Sequence, residues 1–287
     1  MIPLVWTVIV ACTSPPPEGE DSPAPLPYTG IYTAVSMSDG FGCAIDTNKN
    51  ILCWGRDNAG QTRAPVGAYT DLTTGSDYAC GRSEGAGWRC WGNTGRFSEA
   101  PTGWEDFPTL AAGWEHLCGL DAAGIPHCWG DMEGWRQPVP EGLSFVKLSA
   151  GNPTTCGLDV DGQLTCWAYA LFEYPSAGGR VDLDVGWKYY CVIYDDGDAG
   201  CQGQVEESGR RTPSGVFKSL SCGRATTCGI DEEDKLKCWD YEMDPPEPLR
   251  MPMQQVSVGV SEACALDQEG ELHCWGFNND DGQLNPP

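Results

Sequence analysis

The sequence predicts an all-β chain folded as a seven-bladed β-propeller with one intra-blade hairpin disulfide per blade. Three observations carry that prediction. Cysteines fall in seven pairs, each pair ten positions apart; the pairs recur every 35–38 residues; and the residues around them repeat in register. The pairs are Cys43/Cys53, Cys80/Cys90, Cys118/Cys128, Cys156/Cys166, Cys191/Cys201, Cys228/Cys238 and Cys264/Cys274. A period of this length suits a propeller blade. It is too long for a leucine-rich turn and lacks the apolar spacing of a helix pair.

Each cysteine pair reads as a β-hairpin. In Cys118-Gly-Leu-Asp-Ala-Ala-Gly-Ile-Pro-His-Cys128, Asp121 suits the start of a type I turn and Gly124 the left-handed residue that closes it. Pairing Asp121 with Ile125 places Leu120 opposite Pro126 and Cys118 opposite Cys128. Directly opposed residues lie about 4.5–5.5 Å apart at Cα, within reach of a disulfide. The same register pairs Ile45 with Ile51, Leu158 with Leu164, Ile230 with Leu236 and Leu266 with Leu272. A slip by one residue would turn every aliphatic to the wrong face, so cross-link and hydrophobic pattern specify one pairing.

Upstream of each hairpin a shorter strand is expected. Gly75, Gly113, Gly151, Gly186, Gly223 and Gly259 stand five residues before the first cysteine, with Ser38 the exception. An aliphatic recurs three residues earlier (Val35, Leu72, Leu110, Leu148, Leu183, Leu220, Val256). Three earlier still come Tyr32, Tyr69, Phe107, Phe145, Phe217 and Met253, with Arg180 the exception. This is a strand entering the core, then a tight turn. Downstream, Trp54, Trp91, Trp129, Trp167, Trp239 and Trp275 follow the second cysteine, and Gln202 takes that place once. Recurrence at one repeat position marks these indoles as packing between blades. Three to four short strands plus turns fill the period, and a unit so small buries its faces only by stacking in a ring.

The phrase aliphatic…Gly-x-x-x-x-Cys-Gly-Leu-Asp-x-x-Gly-x-Leu-x-Cys-Trp-Gly-x-Asn…Gly-Gln-Leu resembles the regulator of chromosome condensation repeat, over residues 30–287. That resemblance implies a seven-bladed propeller; the family includes a secreted bacterial β-lactamase inhibitor with shorter blades. Gln202 and the Trp167-Ala168-Tyr169 continuation depart from the pattern and predict altered edges in two blades. Fold likeness alone assigns no activity.

Sixteen cysteines, fourteen of them in evenly spaced pairs, argue for disulfides and an oxidising compartment. Zinc is the competing reading, but ligand pairs usually lie two to four residues apart. Of the two remaining cysteines, Cys222 reads as a small buried hydrophobe. Cys12 ends the apolar run Ile2–Ala11, and Ile9-Val10-Ala11-Cys12 resembles a bacterial lipobox, although no Lys or Arg precedes the run. The expected organisation is a signal peptide over 1–12 with lipidation at Cys12, a Pro- and acid-rich tether over 13–29, and one propeller over 30–287. The expected address is the bacterial cell envelope or the extracellular space, as a monomer whose membrane attachment is the lipid alone.

A net charge of −24, from 41 acidic and 17 basic side chains, opposes nucleic acid as a partner. No nucleophile elbow, zinc-protease motif or phosphate loop is present, so no catalytic residue and no cofactor is assigned. His127 and His273 precede the second cysteine where Arg89, Thr165 and Lys237 also occur, which reads as an exposed strand position and no metal site. Acidic turns such as Asp159–Gly162 are accounted for by hairpin chemistry and lack the spaced ligands of a calcium loop.

The informative aromatics are those that do not recur. Trp114 and Trp187 follow the turn glycine, where Ser76, Asn152, Arg224 and Val260 stand in other copies. Equivalent turns share one rim, so Tyr78, Trp114, Trp187 and Arg224 are the candidate binding residues. Trp104 and Trp135 lie in inter-blade connections, where a large aromatic is either local packing or an interface anchor. The expected function is a non-enzymatic scaffold that binds an extracellular or envelope protein through loops on one face. The alternative is a propeller that binds a glycan or small ligand through exposed tryptophan.

Overall fold

A computed structural model describes residues 30–97, 99–131, 138–168, 179–203, 215–239, 243, 245–246, 249 and 251–287. The predicted signal segment, Cys12, the tether and Trp135 lie outside the described residues. Seven three-stranded antiparallel sheets account for the named strands. Blade 1 is β1 (Tyr32–Met37), β2 (Phe41–Asp46) and β3 (Ile51–Gly55); blade 2 is β4 (Tyr69–Thr74), β5 (Tyr78–Ser83) and β6 (Gly87–Gly92). Blade 3 is β7 (Thr109–Ala112), β8 (His116–Leu120) and β9 (Pro126–Gly130); blade 4 is β10 (Lys147–Ala150), β11 (Thr155–Leu158) and β12 (Leu164–Trp167). Blade 5 is β13 (Arg180–Val185), β14 (Tyr189–Tyr194) and β15 (Ala199–Gly203); blade 6 is β16 (Phe217–Cys222), β17 (Thr227–Asp231) and β18 (Leu236–Trp239). Blade 7 is β19 (Met253–Val258), β20 (Glu262–Asp267) and β21 (Leu272–Gly276).

The hairpin register is the predicted one. Leu120 faces Pro126, Ile45 faces Ile51 and Leu266 faces Leu272. All seven cysteine pairs are directly opposed and bridged, with Cα–Cα separations of 3.9–4.1 Å. These are tighter than the spacing expected of an unlinked pair. At the turns Asp121 Oδ1 accepts the Ala123 and Ile125 amides, and Asp159, Asp231 and Asp267 repeat the arrangement. Gly124, Gly162 and Gly270 supply the left-handed residue, with φ of 77°, 71° and 83°.

The alternating pattern treats the two cysteines of a bridge alike, and the structure corrects that. The first cysteine of every pair lies on the central strand and is completely buried. Its partner lies on the outer strand, which pairs with no further strand among the described residues. Cys53, Cys90, Cys128, Cys201, Cys238 and Cys274 are accordingly only half-buried, at the margin of the cluster that holds the first cysteine. Cys166 is the exception. It is fully buried because Tyr190 of blade 5 packs into the same cluster.

The core sits between blades and not within them. Each of seven apolar clusters joins the cysteine face of one blade to the opposite face of the next, and the last joins Cys264 and Leu266 of blade 7 to Tyr32, Ala44 and Trp54 of blade 1. The tryptophan after each second cysteine reaches back onto the preceding blade. Trp91 packs with Phe41 and Cys43, Trp129 with Tyr78 and Cys80, and Trp275 with Cys228 and Ile230. Three indole N–H groups donate to carbonyls as well, Trp54 to that of Gln283, Trp91 to that of Gln61 and Trp275 to that of Met243, whereas those of Trp129 and Trp239 meet no acceptor among the described residues. The residue after the first cysteine stays small because the incoming aromatic lies on it. A Cβ on Gly157 would meet Phe145 Cδ1 at 2.6 Å, and one on Gly229 would meet Phe217 Cδ1 at 2.8 Å.

Candidate functional site

The first strand of every blade lines a central cavity of about 330 Å³. These strands are the inner edges of their sheets, with amides that no fourth strand receives. At five blade junctions the side chain seven residues before the first cysteine receives one of them. Ser257 Oγ accepts the Met37 amide at 2.9 Å, Thr73 Oγ1 the Ala112 amide at 3.2 Å, and Ser149 Oγ the Val185 amide at 3.0 Å. Asp184 Oδ2 accepts the Cys222 amide at 2.7 Å and Ser221 Oγ the Val258 amide at 3.0 Å. Sequence reasoning missed this ring, although Ser36, Thr73, Ser149, Asp184, Ser221 and Ser257 recur in register. Burial raises the Asp184 carboxyl above the usual range, even though the Ser149 hydroxyl donates to it at 2.6 Å.

One residue further along, Met37, Ala112, Ala150, Val185, Cys222 and Val258, with Thr74 as the one polar member, form the floor of a cup of about 100 Å³ that opens at one end of the cavity. The turn glycines form its wall. Each donates within its own turn, as Gly113 does to the His116 carbonyl at 2.9 Å and Gly186 to the Tyr189 carbonyl at 3.0 Å. The following amide crosses to the next blade: Trp114 to Gly151 at 3.1 Å, Trp187 to Gly223 at 3.1 Å, Arg224 to Gly259 at 3.3 Å. Glycine is required there for closeness and not for a left-handed φ. A Cβ on Gly151 would lie 2.2 Å from the Gly186 carbonyl oxygen, and one on Gly223 2.2 Å from that of Gly259.

The side chains left around this bonded ring belong to the residue after the glycine. Trp114 and Trp187, two blades apart, meet edge to face with ring centroids 5.0 Å apart. The Arg224 guanidinium lies over the Trp187 ring at 4.9 Å. Trp114, Trp187 and Arg224 therefore converge as the sequence suggested, with Asn152 in the wall between the tryptophans.

Tyr78 does not join them. It is fully buried, and its hydroxyl lies 3.0 Å from the Gly113 carbonyl and 2.7 Å from the His116 carbonyl. The reason is register: Tyr78 begins β5 two residues before Cys80, and the rim position of blade 2 is Ser76. In blades 3, 5 and 7 the same β-strand position also points into the next blade. Tyr189 bonds the Thr226 carbonyl at 3.0 Å, His116 Nε2 bonds Thr155 Oγ1 at 2.7 Å, and Glu262 accepts the Gly40 amide at 2.8 Å. Burial lowers the His116 imidazole to about 4 and raises the Glu262 carboxyl. Trp104 packs 5.6 Å from Trp129 inside a blade junction and is structural.

His127 and His273 are braces for their own hairpins. Their Nε2 atoms meet Asp121 Oδ2 at 3.1 Å and Asp267 Oδ2 at 2.8 Å, and Lys237 meets Asp231 in the same way at 2.9 Å. Asp267, Glu271 and His273 place ligand-type atoms within 4.8 Å of one another. The lysine in the equivalent place of blade 6 identifies the geometry as an acid–base brace.

Such an arrangement defines a disulfide-pinned propeller with an aromatic, cationic mouth. Two segments, 32–61 and 253–283, match the model of the regulator of chromosome condensation repeat. The five blades between them keep the same strand order, so the chain is a seven-bladed propeller whose first and last blades match that repeat. No curated protein matches it significantly. Among solved structures it is similar to the entire ectodomain of the receptor kinase CR4 from Physcomitrella patens, with TM-score 0.72 and 23% identity over 86% of this chain and 74% of that one. It is also similar to the CRINKLY WD40 ectodomain of the receptor kinase ACR4 from Arabidopsis thaliana, with TM-score 0.71 and 21% identity over 86% and 96%. At these identities the likeness is one of fold.

Proposed function

We propose that the chain is a non-enzymatic extracellular scaffold that docks another protein on the mouth face of the propeller. The observation that carries this reading is the convergence of Trp114, Trp187 and Arg224 from three blades on one rigid, backbone-bonded rim. Tryptophan and arginine around a small depression are the residue types that dominate binding energy at protein interfaces. Seven disulfides suit an oxidising, extracellular setting. Attachment through a lipid at Cys12 belongs to the same proposal: palmitate labelling in a bacterial host, lost on Cys12→Ser, supports it, and an unlabelled wild type refutes it.

The glycan reading is less well supported. Trp114 and Trp187 cover part of one another and Arg224 covers a face of Trp187, so indole surface for stacking on a sugar ring is already committed. Crosslinking capture from envelope extracts tests the choice. A protein retained by wild type and by Val160→Ser, on an exposed hairpin turn at the other end of the blades, but lost from Trp187→Ala and Arg224→Ala supports mouth-face docking. Equal retention by all four refutes it, and a glycan-array signal lost with Trp187→Ala favours the alternative.

A further inference from the structure

Resting on the docking reading above, we infer that the mouth takes a single apolar side chain of its partner, flanked in the partner sequence by a carboxylate that pairs with Arg224. Size comes first. Small-molecule pockets usually run to about 300–1,000 Å³, whereas the cup measures about 100 Å³, room for one side chain. Its floor is apolar except for Thr74, whose hydroxyl donates to the Met37 carbonyl, and the hydrogen-bonding ring lies one residue deeper with hydroxyls engaged across blade junctions.

Charge is the second argument. In a chain with 41 acidic and 17 basic side chains, most described cations have a carboxylate partner: Arg56 pairs with Asp39, Arg96 with Asp77, Lys218 with Asp234 and Lys237 with Asp231. Arg224 makes no salt bridge among the described residues. It is exposed at the rim, with its guanidinium carbon 4.9 Å from the centroid of the Trp187 ring. A guanidinium carries its donors in a fixed fork that takes a carboxylate in two parallel hydrogen bonds, and exposure leaves it within reach of a partner's carboxylate.

The occupant is thus a loop carrying an aliphatic or aromatic residue beside Asp or Glu. Panning a phage-displayed library of constrained seven-residue peptides against the full chain tests it. The net charge of −24 favours basic peptides at any non-specific site, so enrichment of acids runs against the background. The expected peptides carry Asp or Glu adjacent to Leu, Met, Phe or Trp. Their binding falls at least tenfold on Arg224→Glu, falls on Trp187→Ala, and weakens as salt rises. Arg224→Glu must keep the wild-type near-UV spectrum and melting temperature; if it does not, Arg224→Gln carries the same test. Mouth-dependent peptides without an acid, or acidic peptides indifferent to the charge at Arg224, overturn this inference and leave mouth-face docking standing. Peptides whose binding ignores Trp114, Trp187 and Arg224 altogether overturn both.

Discussion

The Tyr190 hydroxyl donates to Gln202 Oε1 at 2.9 Å across a directly opposed strand pair, and in doing so replaces a tryptophan. In blades 1, 2 and 7 this pair is a small residue facing an indole, as Ala79 faces Trp91 and Ala263 faces Trp275. In blade 5 the bulk has moved to the other strand. Tyr190 fills the junction with blade 4, among Cys156, Leu158 and Cys166. The same blade carries Arg180 in place of the incoming aromatic and Val192 in place of the small residue beneath it. Three departures that look independent in the sequence are one repacking.

That exchange predicts coupled stabilities. Tyr190→Ala should cost about 3–5 kcal/mol through the cavity it opens, and Gln202→Trp about 1–3 kcal/mol through overpacking. The double variant should recover much of the sum, since it restores the pair found in blades 2 and 7. A double-mutant cycle in chemical denaturation measures the coupling. Additive losses would show that Gln202 and Tyr190 do not trade volume.

Scaffold and rim tryptophans separate in the same way. Trp129 is 1% exposed in the junction of blades 2 and 3, so Trp129→Ala should cost about 3–5 kcal/mol. Trp114 is half-buried and its ring contact is with Trp187. Trp114→Ala should therefore lose about 0.5–1.5 kcal/mol, the worth of an aromatic pair. Equal losses would make Trp114 a core residue and remove the centre of the proposed mouth.

The ring of turn glycines predicts a steric effect. Gly223→Ala drives a methyl to 2.2 Å from the Gly259 carbonyl oxygen and 2.6 Å from Val258 Cγ1. We expect a loss of more than about 2 kcal/mol, in the range of severe overpacking. Gly95→Ala, with open space at its Cβ, should stay within about 0.5 kcal/mol. Thermal melts of the two variants decide the point.

Acid should weaken the fold through His116. Its imidazole is lowered by burial to about 4, against an ordinary 6.5 in the unfolded chain. The unfolded state therefore binds the proton first, and stability present above pH 6.5 is lost as pH falls toward 4. The full loss is on the order of 3 kcal/mol at one pH unit per 1.4 kcal/mol. Glu262 and Asp184, raised by burial, act in the opposite sense, gaining stability as they protonate. His116→Thr, the residue type at the same place in blades 4 and 6, should flatten the slope between pH 6.5 and 4. Denaturation midpoints across that window test it, and an unchanged slope would remove His116 as its source.

Local rules fixed in advance most of what each blade is. A cysteine spacing of ten and an alternation of period two leave one hairpin register, and Asp with Gly at the turn closes it, because these interactions are made between residues near one another in the chain. A seven-fold period then implied the ring. The sequence alone also placed Trp114, Trp187 and Arg224 on equivalent turns. What it did not contain was the direction in which each position points once blades are stacked. Tyr78, two residues from the rim position, went into the next blade, and a recurrent serine became a receiver for the neighbouring blade's amides. The two ends of each bridge also parted, Cys43 sealed in the centre of its blade and Cys53 left at the outer edge. Those outcomes depend on the angle and spacing between adjacent blades, set by packing of many side chains separated by about one repeat, and only the assembled ring decides them.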